Sequence, residues 1–231
     1  MHQPTHVGWY IDSHSHKAII FVGMNLRQIK FSDYYMDVHP KSQVYLHHTA
    51  GAAEGERQFQ FWSNDSVKVA TCVCISRDGE IVQGFSSKYW AYHLGMRTSH
   101  FANFDLAYKN LDKISIGVEI CNWGWLTERS GEFYTYVGSK IPKDRVIALE
   151  EPYRGHTYWE AYTEAQIESV AELLLLWRDR YSIPVGYDEK IWDIHKGALI
   201  GLPGVYTHNS VRPDKADVYP HPGLINMLKK L

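Results

Sequence analysis

Three separated stretches of the chain hold side chains suited to hydrolytic chemistry: His47 and His48 in HHTAG, Glu119 in ISIGVEI, and His208, Lys215 and Asp217 in THNSVRPDKADVYPHP. Hydrolytic zinc sites take three protein ligands from His, Asp, Glu or Cys and leave a fourth position for water. His47, His208 and Asp217 could supply that set, with Zn2+ as the ion. Neighbouring residues on a strand point to opposite faces, so only one of His47 and His48 can reach a given metal. A plainer reading stands beside this one. The chain has 13 histidines, and a histidine taken singly is more often a hydrogen-bonded structural residue than a ligand. Lys215 and Asp217, flanked by Arg212, Pro213 and Asp214, would by themselves read as a solvated charged loop.

The elements around these residues must bring them together. VYLHHT is a short apolar run ending in polar residues, followed by AGAAEGERQFQFWSN as loop and helix. VATCVCIS and EIVQGF read as two strands joined at Arg77-Asp78-Gly79, whose Asp-Gly pair signals a hairpin turn. In ISIGVEI, Ile114, Ile116, Val118 and Ile120 share one face by two-residue alternation, while Ser115, Gly117 and Glu119 share the other. One face is core; the other, with two minimal side chains beside one carboxylate, suits the floor of a cleft. Residues 122–160 form an excursion rich in Trp, Tyr and Gly and broken by Pro142 and Pro152, too long for a plain connection, and are expected to form a flap or hairpin. Thr163 and Gln166 make a capping box for a helix with Ile167, Val170, Ala171, Leu174, Trp177 and Tyr181 at helical spacing, ended by Pro184.

Strands and helices here neither alternate strictly nor segregate, so an α/β fold with a central mixed β-sheet flanked by helices is expected. Residues 1–41 show only fragments of pattern, with AIIFVGMN as a short strand and His14 and His16 as surface residues. They are expected to form an N-terminal arm or cap on a catalytic domain spanning 42–231.

Size and charge narrow the function. A chain of 231 residues with 45% hydrophobic content can bury one substantial core. Its 24 basic and 26 acidic residues leave a net charge of -2, so no strong field favours nucleic acid or a membrane surface as partner. No basic segment followed by a long apolar run opens the sequence, and no apolar stretch is membrane-spanning in length. A soluble monomer, synthesised in the cytoplasm without a signal peptide, is expected. Cys72, Cys74 and Cys121 cannot all pair and read as reduced core residues. Eight Trp, sixteen Tyr and eight Phe suit a groove for sugars or peptides, and equally a core.

Taken in order, HHTAG, WAYHLG, SIGVEICNWG, the capped helix and GVYTHNSVRPDKADVYPHP resemble the N-acetylmuramoyl-L-alanine amidases of the type shared by phage lysozyme-amidases, recycling amidases and peptidoglycan recognition proteins. The resemblance runs from Gln43 to Pro222. It implies the fold of that family, peptidoglycan as partner, and Zn2+ held by His47, His208 and Asp217. The family's catalytic glutamate falls on Glu119 and its lysine, two residues before the third ligand, on Lys215. His93 in WAYHLG matches a position near the cleft, where it touches substrate, supports the metal or, equally, is a structural residue. His48, Tyr158 and Trp159 are candidate substrate contacts, with Tyr134, Tyr136 and Tyr153 as further candidates for an extended groove. The implied reaction is hydrolysis of the amide between N-acetylmuramic acid and L-alanine. Some members of the family bind peptidoglycan without cutting it, having lost the third ligand; Asp217 favours the enzyme. The settings consistent with this are a phage lysin, an exported effector or, less favoured, cytoplasmic recycling.

Overall fold

The structure is a computed structural model that describes residues 7–8, 21–22, 24–51, 54–63 and 67–231. The chain begins with β1 (Val7–Gly8), β2 (Phe21–Val22), β3 (Leu26–Gln28), β4 (Gln43–His48) and α1 (Gly55–Trp62). It continues with β5 (Val73–Ile75), β6 (Ile81–Gln83), α2 (Thr98–Ala102), α3 (Leu111–Ile114) and β7 (Ser115–Ile120). The 122–160 excursion then contributes β8 (Trp125–Arg129), β9 (Glu132–Tyr134), β10 (Lys140–Ile141), β11 (Val146–Tyr153) and β12 (His156–Glu160). Last come α4 (Glu164–Tyr181), α5 (Lys196–Ile200), β13 (Gly204–Thr207) and α6 (Pro222–Leu228).

Six strands form the central sheet in the order β13-β4-β7-β5-β6-β3. All adjacent pairs are parallel except β5 with β6, so the sheet is mixed, as the sequence pattern implied. The antiparallel pair closes through Gly79, whose φ of +85° suits a residue without Cβ. Every residue of β4 and β7 is buried. A strand in the middle of a sheet covered on both faces has that character, and the Ser115/Gly117/Glu119 face is therefore packed over except where the cleft opens at Glu119.

Helix α4 begins as the sequence indicates. Thr163 Oγ1 accepts from Gln166 N at 3.0 Å, and Gln166 Oε1 accepts from Thr163 N at 3.1 Å. The helix ends at Ser182 in the left-handed region, two residues before Pro184. Val170, Leu173, Leu174 and Trp177 are buried in the common core. Gln166 Nε2 donates to Cys121 O at 2.8 Å, tying the helix to the end of β7.

The segment before β4 is built into the domain from Met24 onward. β3 extends the central sheet as its edge strand, Phe31 packs on Phe59 and Phe85, and the buried Lys41 Nζ donates to Lys113 O and Ser115 O. Of AIIFVGMN, only Phe21–Val22 and the last two residues fall among those described, and His14 and His16 lie outside them.

The excursion differs from the flap or hairpin expected. It forms a five-stranded antiparallel sheet, β10-β9-β8-β12-β11. Its strands are short and interrupted, with Pro152 in edge strand β11 and a register shift between Ala148 and Tyr153, which is why alternation did not reveal them.

Candidate active site

Parallel pairing places the first two groups. β4 and β7 align His47 with Glu119, so both side chains leave the same face of adjacent strands. β13 lies on the other side of β4 and ends at Thr207, where a single tight turn, His208–Ser210, carries His208 over the strand ends. The loop to Asp217 is held by Asn209, whose Nδ2 donates to Asp217 O at 3.0 Å and Val218 O at 2.7 Å.

The result is a cluster of three potential ligand atoms. His47 Nδ1 lies 3.1 Å from His208 Nδ1 and 3.3 Å from Asp217 Oδ2, and His208 Nδ1 lies 3.0 Å from Asp217 Oδ2. Donors about 2.0–2.2 Å from a tetrahedral zinc stand roughly 3.3–3.5 Å from one another. The triangle therefore fits zinc with little adjustment, and two nitrogens with one carboxylate oxygen are ordinary donors for it.

The outer ring nitrogens are also fixed. His208 Nε2 donates to Leu94 O at 3.0 Å, which fixes the ring with its Nδ1 turned into the cluster. His47 Nε2 meets His93 Nδ1 at 3.0 Å, and His93 Nε2 meets Ser115 Oγ at 2.9 Å. His93 thus supports His47, and its own backbone N–H donates to Asp112 Oδ1 at 2.8 Å.

Burial sets the electrostatics. It pushes the His47 and His48 rings down to about 4, and His93 well below the usual histidine range. All three are neutral near pH 7, the state in which a ring can offer a lone pair. The two carboxyls diverge. Burial would push Asp217 up, but the His208 and His47 rings beside it hold it well below the ordinary carboxylate range. Glu119 is pushed well above that range by burial, with Asp217 and Cys121 adding to the shift and Lys215 opposing it. Two carboxyls shifted in opposite directions are suited to separate tasks.

A cleft of about 320 Å³ opens over the cluster. Glu119, Lys215 and Asp217 line it together with Trp62, Trp123, Trp125 and Tyr136. His93 and His48 also border it. His48 turns to the opposite face of β4 from His47, its Nδ1 3.1 Å from the Tyr162 hydroxyl. Gly124 covers it at φ +78°, where a Cβ would come within 2.7 Å of His48 Nε2.

Two candidate substrate contacts are corrected. Trp159 is fully buried and stacks on Tyr219 at 4.5 Å, so it belongs to the core. Tyr158 pairs with Leu126 and packs on Phe133, on the face of the smaller sheet opposite Trp159, and does not line the cleft. Tyr153 donates its hydroxyl to Trp192 O and is likewise structural, while Arg129 covers the Tyr134 ring. Tyr136 does line the cleft, reaching across to donate to Ala50 O at 3.0 Å. The sequence reading missed Trp62, Trp123 and Trp125. The two-residue spacing of NWGWL, directly after the Glu119 strand, was the available signal for the last two.

Three side chains that could hold a divalent ion, beside a buried carboxyl and at the edge of a mixed sheet, are an arrangement found in hydrolytic metal centres. The sequence model of the N-acetylmuramoyl-L-alanine amidase family matches residues 37–222, and the chain belongs to that family. Among solved structures the fold is similar to that of an AmpD derivative, at 17% identity and TM-score 0.50, covering 88% of this chain and 94% of that one. It is similar also to PlyL, at 16% identity and TM-score 0.50, with 90% and 96% covered. At these identities the likeness is one of fold. No curated protein matches the sequence.

Proposed function

We propose that the protein is a zinc-dependent enzyme that hydrolyses the amide between the lactyl group of N-acetylmuramic acid and L-alanine in bacterial peptidoglycan. The observation that carries this reading is the triangle of His47, His208 and Asp217 donors, 3.0–3.3 Å apart, opening on a cleft beside Glu119. Zinc held there would acidify a water and polarise the scissile carbonyl. The chain's own groups do the rest. Glu119, buried and without a hydrogen bond to its carboxyl among the described residues, takes the proton of the attacking water and returns it to the departing amine, which must leave protonated. Lys215 supplies positive charge for the oxygen that becomes negative in the tetrahedral intermediate. His93 holds the His47 ring in the orientation that turns Nδ1 inward. His48, braced by Tyr162, stands at the rim where bound substrate would pass.

The cell wall is the proposed place of action. Among the described residues no helix is long and apolar enough to cross a membrane. The test is metal content of the purified protein combined with mass analysis of digested muropeptides. Equimolar zinc is expected, with peptides beginning at L-alanine as products, abolished by chelator and restored by zinc. Full hydrolysis in excess chelator would overturn the metal reading. Binding of peptidoglycan with no cut would make the chain a recognition module.

A further inference from the structure

The outer nitrogens of His47 and His208 rest on two adjacent residues of WAYHLG. His47 Nε2 meets His93 Nδ1 at 3.0 Å, and His208 Nε2 donates to Leu94 O at 3.0 Å. Whatever holds that stretch therefore holds both rings. Tyr92, just before it, is paired in both directions with a neighbouring segment: its N–H donates to Lys68 O at 2.9 Å, and its carbonyl accepts from Ala70 N at 3.0 Å. The next two amides turn elsewhere. His93 N and Leu94 N both donate to one carboxylate oxygen, Asp112 Oδ1, at 2.8 and 2.9 Å.

Asp112 is 3% exposed, so losing it would leave two amides without a partner in a place that water hardly reaches. Its carboxylate bonds to neither histidine ligand. Even the supporting His93 ring is out of its hydrogen-bond reach, with Nε2 3.9 Å from Oδ1 and only 2.9 Å from Ser115 Oγ. Asp112 belongs to α3, which runs directly into β7, the strand that carries Glu119. The buried Lys41 Nζ fixes that junction by donating to Lys113 O at 2.8 Å and Ser115 O at 2.9 Å. From the far side, Arg212 Nη1 donates to Gly95 O at 2.9 Å, so the loop between His208 and Asp217 is docked on the same stretch. One structural unit thus places the Glu119 carboxyl directly and the two rings through a single oxygen.

We infer that Asp112 is a positioning residue for the metal centre, setting both histidine ligands at once by holding the His93–Leu94 backbone on which their outer nitrogens rest. This rests on the proposed zinc site, and it extends the support that His93 gives to one ring. The role is one of placement: an acceptor oxygen at this point is required, and its charge is not.

The test is the zinc dissociation constant, read by competition with a chromogenic chelator on variants whose folding is checked by circular dichroism. Asp112→Ala should weaken zinc binding about 10–100-fold, the range for a lost outer partner of a metal ligand. Asp112→Asn keeps an acceptor oxygen of the same reach and should recover most of that loss. Asp112→Glu keeps the charge but displaces the oxygen by a methylene, and should weaken zinc as the alanine does. Leu174→Ala, which removes core packing in α4, should lower stability and leave zinc affinity at the wild-type value. Wild-type affinity in Asp112→Ala would overturn the inference. So would zinc binding in Asp112→Asn no tighter than in Asp112→Glu, a comparison that decides the matter if the alanine variant does not fold. A wild type that binds no zinc would overturn the proposed function and this inference together, whereas a zinc-binding wild type with unaffected Asp112 variants would overturn this inference alone.

Discussion

The two sheets of this molecule handle their side chains differently. In the central sheet β4 and β7 are buried along their whole length, and the chemical groups His47 and Glu119 extend from paired positions on them. In the excursion sheet most residues are half-exposed or exposed, with all of β9 intermediate and β11 exposed at four of its eight positions. The difference separates two tasks. Groups that must converge to within a few tenths of an ångström are fixed to the stiffest strands, whereas broad aromatic contacts sit on a smaller sheet added at the cleft edge. The seam between the sheets is locked. Glu160 is fully buried, pairs with Arg77 at 3.2 Å and with Arg145, and accepts from Trp123 N at 2.7 Å.

The sharpest way to break the comparison is at the donors. His208→Ala should release zinc and reduce hydrolysis to background, measured as metal content after dialysis and as muropeptide turnover. Tight zinc retention in that variant would remove His208 from the metal centre. Next is Glu119→Gln, which keeps the shape of the cleft floor but cannot carry a proton. Zinc binding should stay near normal while kcat falls about 10²–10⁴-fold, the range for lost general acid–base catalysis. Equal turnover would take Glu119 out of the mechanism.

A third experiment tests the seam. Glu160→Gln leaves two guanidinium groups, Arg77 and Arg145, without their shared buried carboxylate. Breaking such a buried pair from one side costs about 3–5 kcal/mol, read as a fall in the denaturant midpoint. A loss below about 1 kcal/mol would mean that the smaller sheet is held by its aromatic packing alone, chiefly Trp159 on Tyr219.

The same contrast decides what was legible in the sequence. The central sheet could be read because its strands carry strict alternation and its helix a complete capping box: Ile116, Val118 and Ile120 against Gly117 and Glu119, then Thr163 with Gln166. His47, His208 and Asp217 were legible as chemistry by residue type and by family order, although no local pattern states that positions 161 residues apart share a centre. That information lies in the parallel pairing of β13 with β4. The excursion was not legible. Its strands are interrupted by turns and prolines, and aromatic residues have the same composition whether they face a cleft or a core. Trp125 and Trp159 are register partners in adjacent strands, yet one lines the cleft and the other is sealed under Tyr219. Only the packing of the last loop against the smaller sheet makes that distinction.

The smallest expected effect concerns acid, and it separates the seam from the C-terminal helix. His221 caps α6 with its Nδ1, accepting from Gly223 N at 3.1 Å and Leu224 N at 3.4 Å, so the ring must be neutral there. Burial pushes it down to about 4, as it does His48 at the seam. An unfolded histidine titrates near 6.5. Between about 6.5 and 4 the unfolded chain therefore binds a proton at each position that the folded chain does not. Stability is complete above that window and falls as pH drops through it, with positive slope against pH. Each ring costs on the order of 3 kcal/mol of stability by pH 4. His221→Asn keeps an acceptor suited to a helix N-terminus but does not titrate. Its stability should follow pH less steeply than the wild type between 6.5 and 4, in urea unfolding at closely spaced pH values. Parallel wild-type and variant curves would show that His221 takes up its proton alike in the folded and unfolded chain, and would leave the acid sensitivity to His48 and the seam.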